Sequence, residues 1–357
     1  MKPTTVLAAG AGVGAAVLAI RQLERWCDRD ECWLALADRI RRQLPPPPQS
    51  SFRVVAVVAL GSRLRGEYVV GTNIEAGNLH NSVCAERVAF GALQLYGVRR
   101  PGAVRCIYIV TDAPQPISPG ALCREFMYSS PFCTPATRVL SATPDLGQRL
   151  DVTLAELLPR ASPYCRLGAA DQRKWAKATS LQTPPSGSAA ATAYAAAKRA
   201  SSGDDRDDLH PTRYGVACAF DDGTVATAVQ RKALEYGCSL DPVGQLAPEL
   251  ARKRRDGVRP IVVALVDDLG VAHAPFASGR AFLAEHGYGA VDVLCHDGDG
   301  ALHVVEALEL MPFVPDFTDH FRETIPKSPT RSMDRISFSA ATPASPSNEA
   351  RAVRTPP

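Results

Sequence analysis

Net charge is the first thing in short supply. Forty Lys and Arg against 37 Asp and Glu leave a formal +3 over 357 residues, too little to argue for a nucleic-acid partner by itself. Aromatic residues are only 6% of the chain, and none of them interleave with basic residues around the candidate site described below, so nucleic-acid binding is not expected. The ten cysteines have no regular framework spacing, which reads as reduced intracellular thiols and not as a disulfide scaffold. Long apolar runs are missing with one exception. Residues 5–20 are rich in Val, Leu, Ala and Gly, with Lys2 before them and Arg21, Arg25 and Arg29 after. That run is shorter than the ~20 residues a spanning helix needs. Three readings compete: a membrane anchor with a basic cytosolic flank, a cleaved targeting segment, or a loosely packed amphipathic leader. The first two are preferred, so residues 1–21 are taken as an anchor or targeting segment. The location is then cytoplasmic or organellar, with membrane association through residues 5–20 in the anchored form.

What is present fits a folded protein. Apolar residues make up 46% and charged residues 22%, and the length suffices for two domains with real cores. Residues 22–44 carry Leu23, Trp26, Cys27, Trp33, Leu34, Leu36 and Ile40 at helical spacing among Arg and Asp, predicting an amphipathic helix broken near Asp28–Asp30. Four prolines, 45–48, end it and act as a stiff spacer, so residues 22–50 form a helical leader. A first domain follows over 51–168, a linker with a helix over 169–208, a second domain over 209–318 and a tail over 319–357. The tail, rich in Ser, Pro, Thr and Arg from Ile325 on, reads as disordered.

Within the first domain, residues 54–60 are a continuous apolar run predicting a buried strand. Residues 62–66 supply a turn and 67–72 the returning strand. The chain then reads N-I-E-A-G-N-L-H-N-S-V-C-A-E-R over 73–87, an apolar helical run, a strand over 104–111, and P-G-A-L-C-R over 119–124. Strands alternating with helices predict an α/β sandwich with a mixed sheet. Cys84 and Glu86 stand in the first turn of one predicted helix and Cys123 opens another. The positive end of a helix dipole lowers a thiol's pKa, and thiolate is the metal-ligand form. Two such thiols with a carboxylate beside them make a site for a zinc ion that activates water, the carboxylate shuttling its proton.

These residues resemble the zinc deaminase pattern H-x-E followed by P-C-x-x-C, with Cys84-Ala85-Glu86 as its first half and Cys in place of His. Asn73-Ile74-Glu75 resembles the block with which the cytidine deaminase family holds the ribose hydroxyl. Residues 79–83, L-H-N-S-V, look most like its longer, dimeric branch. Residues 51–54 sit where the family carries a strand whose Phe, here Phe52, lines the nucleoside pocket, and 152–159 resemble its closing T-x-x-E-L-L-P segment. The second half of the pattern departs: Gly120 stands where a ligand Cys is expected, leaving Cys84 and Cys123 of three expected protein ligands. Cys133, Cys106 and His80 are candidate replacements, none at the expected spacing, and each reads more readily as a buried thiol or a surface His.

The second half of the chain looks like a worn copy of the first. Residues 214–220 and the D-D-G-T turn mirror a strand and hairpin. Leu240-Asp241-Pro242-Val243 stands in place of the first half-motif, and residues 273–280, H-A-P-F-A-S-G-R, in place of the second, without Cys. Asp241, His273 and Cys295 read as structural or surface residues. The resemblance implies tandem cytidine-deaminase-like αβα sandwiches, the second degenerate and metal-free, in a homodimer. It further implies Zn2+ as cofactor, Cys84 and Cys123 as ligands, Glu86 as the proton carrier, and hydrolytic deamination of cytidine or deoxycytidine in pyrimidine salvage. Asn73 and Glu75 would bind the sugar, Phe52 the base, and backbone near Ala85 and Ser118 the pyrimidine edge. The competing reading is a catalytically inactive deaminase-fold protein that binds a nucleoside or a protein partner.

Overall fold

The structure, a computed structural model, describes residues 29–61 and 67–314. The apolar N-terminal segment, the expected turn over 62–66 and the tail lie outside the described residues. Among the described residues, no helix is long and apolar enough to cross a membrane.

Two α/β/α units follow one another. In the first, β1 (Val54–Leu60) is flanked by β2 (Tyr68–Thr72) and β3 (Val104–Thr111). β4 (Arg138–Ala142) and β5 (Arg149–Thr153) extend the sheet in the order β2-β1-β3-β4-β5. β3 and β4 run parallel and the other pairs antiparallel. β1 reads V-V-A-V-V-A-L without alternation because helices cover both faces. On one face lies α1 (Asp30–Gln43), which buries Trp33, Leu34 and Ala37 against Val55, Val57 and Tyr108. Its start is fixed by polar contacts, the Tyr108 hydroxyl donating to Asp30 at 2.6 Å and Arg138 pairing with it at 3.0 Å. The other face carries α2 (Ala85–Leu95) and α3 (Ala121–Ser129), with Ala89, Phe90, Leu93 and Met127 in the core. A short α4 (Leu154–Leu157), started by a Thr153–Glu156 capping box, closes the unit.

After α5 (Ala169–Ala178), the same plan recurs. α6 (Ala189–Ala200) covers one face of a second sheet through Ala193, Ala196 and Ala197. It takes the place of α1 in the first unit, although the sequence puts it inside a linker. The sheet order is β7 (Val225–Val229), β6 (Tyr214–Phe220), β8 (Pro260–Asp267), β10 (Asp292–His296), β11 (Leu302–Glu306), with a two-residue β9 (Ala272–His273) beside β8. α7 (Ala247–Arg255) and α8 (Ala277–Glu285) cover the far face. The correspondence extends to irregularities. The β1–β3 register shifts at Ala59/Leu60 and the β6–β8 register at Ala219/Phe220. Single bridges Ile74–Val83 and Arg231–Leu240 precede α2 and the helical turn before α7. The fold is thus a tandem of α/β sandwiches with mixed sheets.

Candidate metal and substrate site

α2 and α3 begin at neighbouring points above the first sheet, and the residues at those beginnings set the site. Cys84 is the N-cap of α2 and Glu86 lies in its first turn; Gly120 caps α3 and Cys123 is its third residue. Gly71 on β2 allows this placement. A Cβ there would lie 2.1 Å from the Ala85 carbonyl oxygen and 2.4 Å from the Ala89 nitrogen, so only glycine lets α2 rest its first turn directly on the strand.

One ligand atom from each of Cys84, Glu86 and Cys123 falls within 4.8 Å of the other two. Glu86 and Cys123 are buried and Cys84 half-buried. A hydrogen bond from the Cys123 thiol, helped by the charge of Arg87, pulls Cys84 down to about 6. The same bond together with burial and the Glu86 charge pushes Cys123 up. Burial, reinforced by the charge on Cys84, raises Glu86 to about 7, a value at which a carboxyl both takes and gives a proton near neutral pH.

Cys84 and Glu86 line a cavity of about 220 Å3, while Cys123 is fully buried and is not part of its lining. Phe52, Asn73, Glu75, Ala85, Ser118 and Gly120 line it with Cys84 and Glu86, so residues far apart in sequence meet here. Phe52 is buried against Ala113 and Ile117. Asn73 accepts from the Val54 N–H at 2.9 Å and donates to the Phe52 carbonyl at 2.8 Å. Glu75 accepts from the backbone N–H of Gln49 (3.0 Å) and Ser50 (2.9 Å) and from the Ser50 hydroxyl. Both side chains therefore hold the entry to β1. Among the described residues each keeps spare capacity, Asn73 one N–H and one lone pair, Glu75 a further lone pair. The Ser118 hydroxyl donates to the Phe313 carbonyl and accepts from Arg124 at 2.8 Å.

None of the candidate third ligands joins the cluster. Cys106 points to the opposite face of the sheet, into the core under α1. Cys133 is buried in the α2–α3 core, where burial pushes its thiol up to about 12, and His80 is exposed on a single helical turn. A Cβ built on Gly120 would meet nothing within 4 Å, so the space of the missing ligand is open. Two thiolate sulfurs with an adjacent carboxylate fit a zinc ion by donor type, at one protein sulfur fewer than the resemblance implies.

Arg124, which the sequence reading passed over, is the largest fully buried side chain. It donates to the carbonyls of Pro119 (2.7 Å), Leu157 (3.0 Å), Pro312 (2.6 Å) and Phe313 (2.9 Å) as well as to Ser118. Burial and the charge of Arg280 bring its guanidinium down to about 10. The signal was available: P-G-A-L-C-R and P-F-A-S-G-R share only their Pro, Ala and Arg, and Arg280 repeats the pattern with Pro275, Leu310, Pro159 and Arg160.

The second unit's equivalent site is filled. Asp241 stands where Cys84 does and accepts from the N–H groups of Val243 and Gly244 and from the Ser278 hydroxyl. Phe276 caps α8 where Gly120 caps α3, its ring 5.1 Å from that of Tyr214. His273, fully buried, bonds Ser162 at 2.8 Å and lies 3.4 Å from Asp267, and Cys295 is buried in the core. These are structural residues, and His273 and Cys295 are not on the surface.

No family model and no curated protein matches the chain. Among solved structures it is similar to a cytidine deaminase from Burkholderia pseudomallei, 28% identical over 35% of this chain and 94% of that one, with a TM-score of 0.31. A cytidine deaminase from Mycobacterium leprae is 25% identical over 35% and 93%, with a TM-score of 0.28. One from Mycobacterium tuberculosis is 24% identical over 34% and 94%, with a TM-score of 0.30.

Proposed function

We propose that the protein is a zinc-dependent hydrolase that deaminates cytidine or deoxycytidine to uridine or deoxyuridine, in the manner of pyrimidine salvage. The observation that carries this reading is the convergence of Cys84, Cys123 and Glu86 within 4.8 Å, two of them, Cys84 and Glu86, lining a cavity together with Phe52, Asn73 and Glu75. Cys84 and Cys123 would hold the metal, whose charge makes water acidic enough to act as a nucleophile near neutral pH.

The remaining steps belong to the chain's own side chains. Glu86 accepts a proton from the attacking water at its carboxylate and gives it to the ring nitrogen; it then takes the second proton, from the hydroxyl newly bonded to the ring carbon, and passes it to the departing amino group, which leaves as ammonia. Its burial matters here, because a carboxyl at about 7 is matched to both halves of that transfer. Phe52 packs against the base. The spare N–H of Asn73 and the spare lone pair of Glu75 meet sugar hydroxyls, a contact that discriminates strongly because an unpaired partner is costly. Backbone groups at Ala85 and Ser118 meet the edge of the pyrimidine.

The open space at Gly120 favours a second reading, an inactive deaminase-fold protein that retains nucleoside or partner binding. Metal analysis of the purified chain together with a cytidine absorbance assay separates the two. About one zinc per chain, the stoichiometry of a single site, with ammonia release abolished by Glu86→Gln supports the enzyme. No zinc and no turnover, with nucleoside still bound, supports the silent protein.

A further inference from the structure

A catalytic zinc is ordinarily held by three protein ligands, and here only two sulfurs are supplied. Two sulfurs hold a metal less firmly than three, so the pair spends more of its time without one. Both cysteines are free, and their Sγ atoms lie within 4.8 Å of each other. They differ in access: Cys84 is half-buried and lines the cavity, whereas Cys123 is fully buried behind it. Gly120, where a Cβ would touch nothing, lines the same cavity as Cys84. We propose that Cys84 and Cys123 are a modification site for hydrogen peroxide, which joins them as a disulfide when the metal is absent.

The steps balance. The Cys84 sulfur, as thiolate, attacks one oxygen of the peroxide; the O–O bond breaks and hydroxide leaves, giving a sulfenic acid. The Cys123 sulfur then attacks the Cys84 sulfur; the S–O bond breaks, and the departing hydroxide leaves as water with the Cys123 proton. In sum, two thiols and one peroxide give one disulfide and two waters. Two electrons pass from sulfur to oxygen. The bonded sulfurs are no longer thiolates and cannot hold zinc. The inference stands whether or not the chain turns over a nucleoside, since it uses only the two sulfurs and the space between them.

The test uses the full chain, stripped of zinc with a chelator and treated with hydrogen peroxide. The expected result is loss of two titratable thiols, a cross-linked peptide joining residues 84 and 123, full reversal by dithiothreitol, and loss of zinc uptake until the bond is reduced. Zinc-loaded protein is expected to oxidise more slowly and to release its zinc as the cross-link forms. In Cys123→Ser, circular dichroism first confirms the fold; Cys84 then has no partner and gains two oxygens as a sulfinic acid. Cys84 reaching the sulfinic acid in the unaltered chain, or a bridge from Cys84 to any other cysteine, overturns the proposal, and the unaltered chain alone is enough to show either.

Discussion

At Gly120 one missing side chain governs how much chemistry the site supports. Its φ of −65° is ordinary, and nothing occupies the place of a Cβ, so a larger residue enters without backbone strain or clash. Gly120→Cys is therefore expected to change folding stability by less than about 0.5 kcal/mol, as for other unstrained substitutions, while adding a third sulfur. Zinc affinity should rise, as competition with a chromogenic chelator would show; unchanged affinity would mean that the third sulfur cannot reach the ion. Gly120→Phe copies what Phe276 does in the second unit and should block the cavity. Glu86 tests the chemistry separately from the metal. Glu86→Gln keeps the shape and removes the proton carrier, so deamination should fall by about a hundred- to ten-thousand-fold with zinc content unchanged.

Between residues and the whole lie the helices and strands that aim them. α2 is held against β2 by the absence of a Cβ at Gly71, and Gly71→Ala would drive a methyl into the backbone of Ala85 and Ala89. Backbone cannot swing aside as a side chain can, so a loss of about 3 kcal/mol is expected, measured by urea unfolding, together with weaker zinc binding as Cys84 moves from Cys123. β10 supplies a pH-dependent counterpart. His296, its last residue, accepts from the Ala272 N–H at Nδ1 (2.8 Å) and donates from Nε2 to the Gln182 carbonyl (2.8 Å), so it is held neutral and burial lowers its pKa from 6.5. The unfolded chain takes up this proton near 6.5 while the native imidazole does not. The contribution of His296 is therefore intact above 6.5 and is lost as the pH falls below it, toward the native pKa. His296→Gln, whose amide can also accept and donate, should flatten that part of the melting-temperature profile between about pH 8 and pH 5.

Elements of this kind were legible in the sequence where one local rule decided them. The unbroken apolar run of β1 announced a covered strand, and Cys84, Glu86 and Cys123 were readable from residue type and helix position. Asn73 illustrates what was not. Its hold on Phe52 and Val54 depends on which strand end lies beside it, and that follows from the register of β1 on β2, not from any nearby residue. α6 was readable as a helix, but its place on the second sheet depended on Gly215. A Cβ on Gly215 would lie 2.3 Å from the Ala197 carbonyl oxygen, and neither residue signals the other along the chain.

Over the whole molecule the two units are interlocked and not merely joined by a linker. α3 and α8 pack through Ala121 and Ala277, with Met311 against both. Arg124 reaches across to Pro312 and Phe313, and Arg280 reaches back to Pro159 and Arg160. Glu125 accepts from the Ala277 N–H at the start of α8. Each arginine binds the closing segment of its own unit and that of the other, so neither end can loosen alone. Arg280→Met leaves the buried carbonyls of Pro275 and Leu310, and the more exposed ones of Pro159 and Arg160, without this donor, a loss of about 3 kcal/mol. The informative quantity is where that loss appears. Trp33 packs in the first unit's core, and Trp175 lies with Tyr164 and Val271 beside the second. If the arginines couple the units, the unaltered chain unfolds in urea in one transition by fluorescence and circular dichroism, and Arg280→Met moves both signals to a lower midpoint together. A shift confined to the second unit, with Trp33 and the Cys84–Cys123 cluster untouched, would show two units folding side by side, and the second would then have no part in holding the Ser118 loop in place.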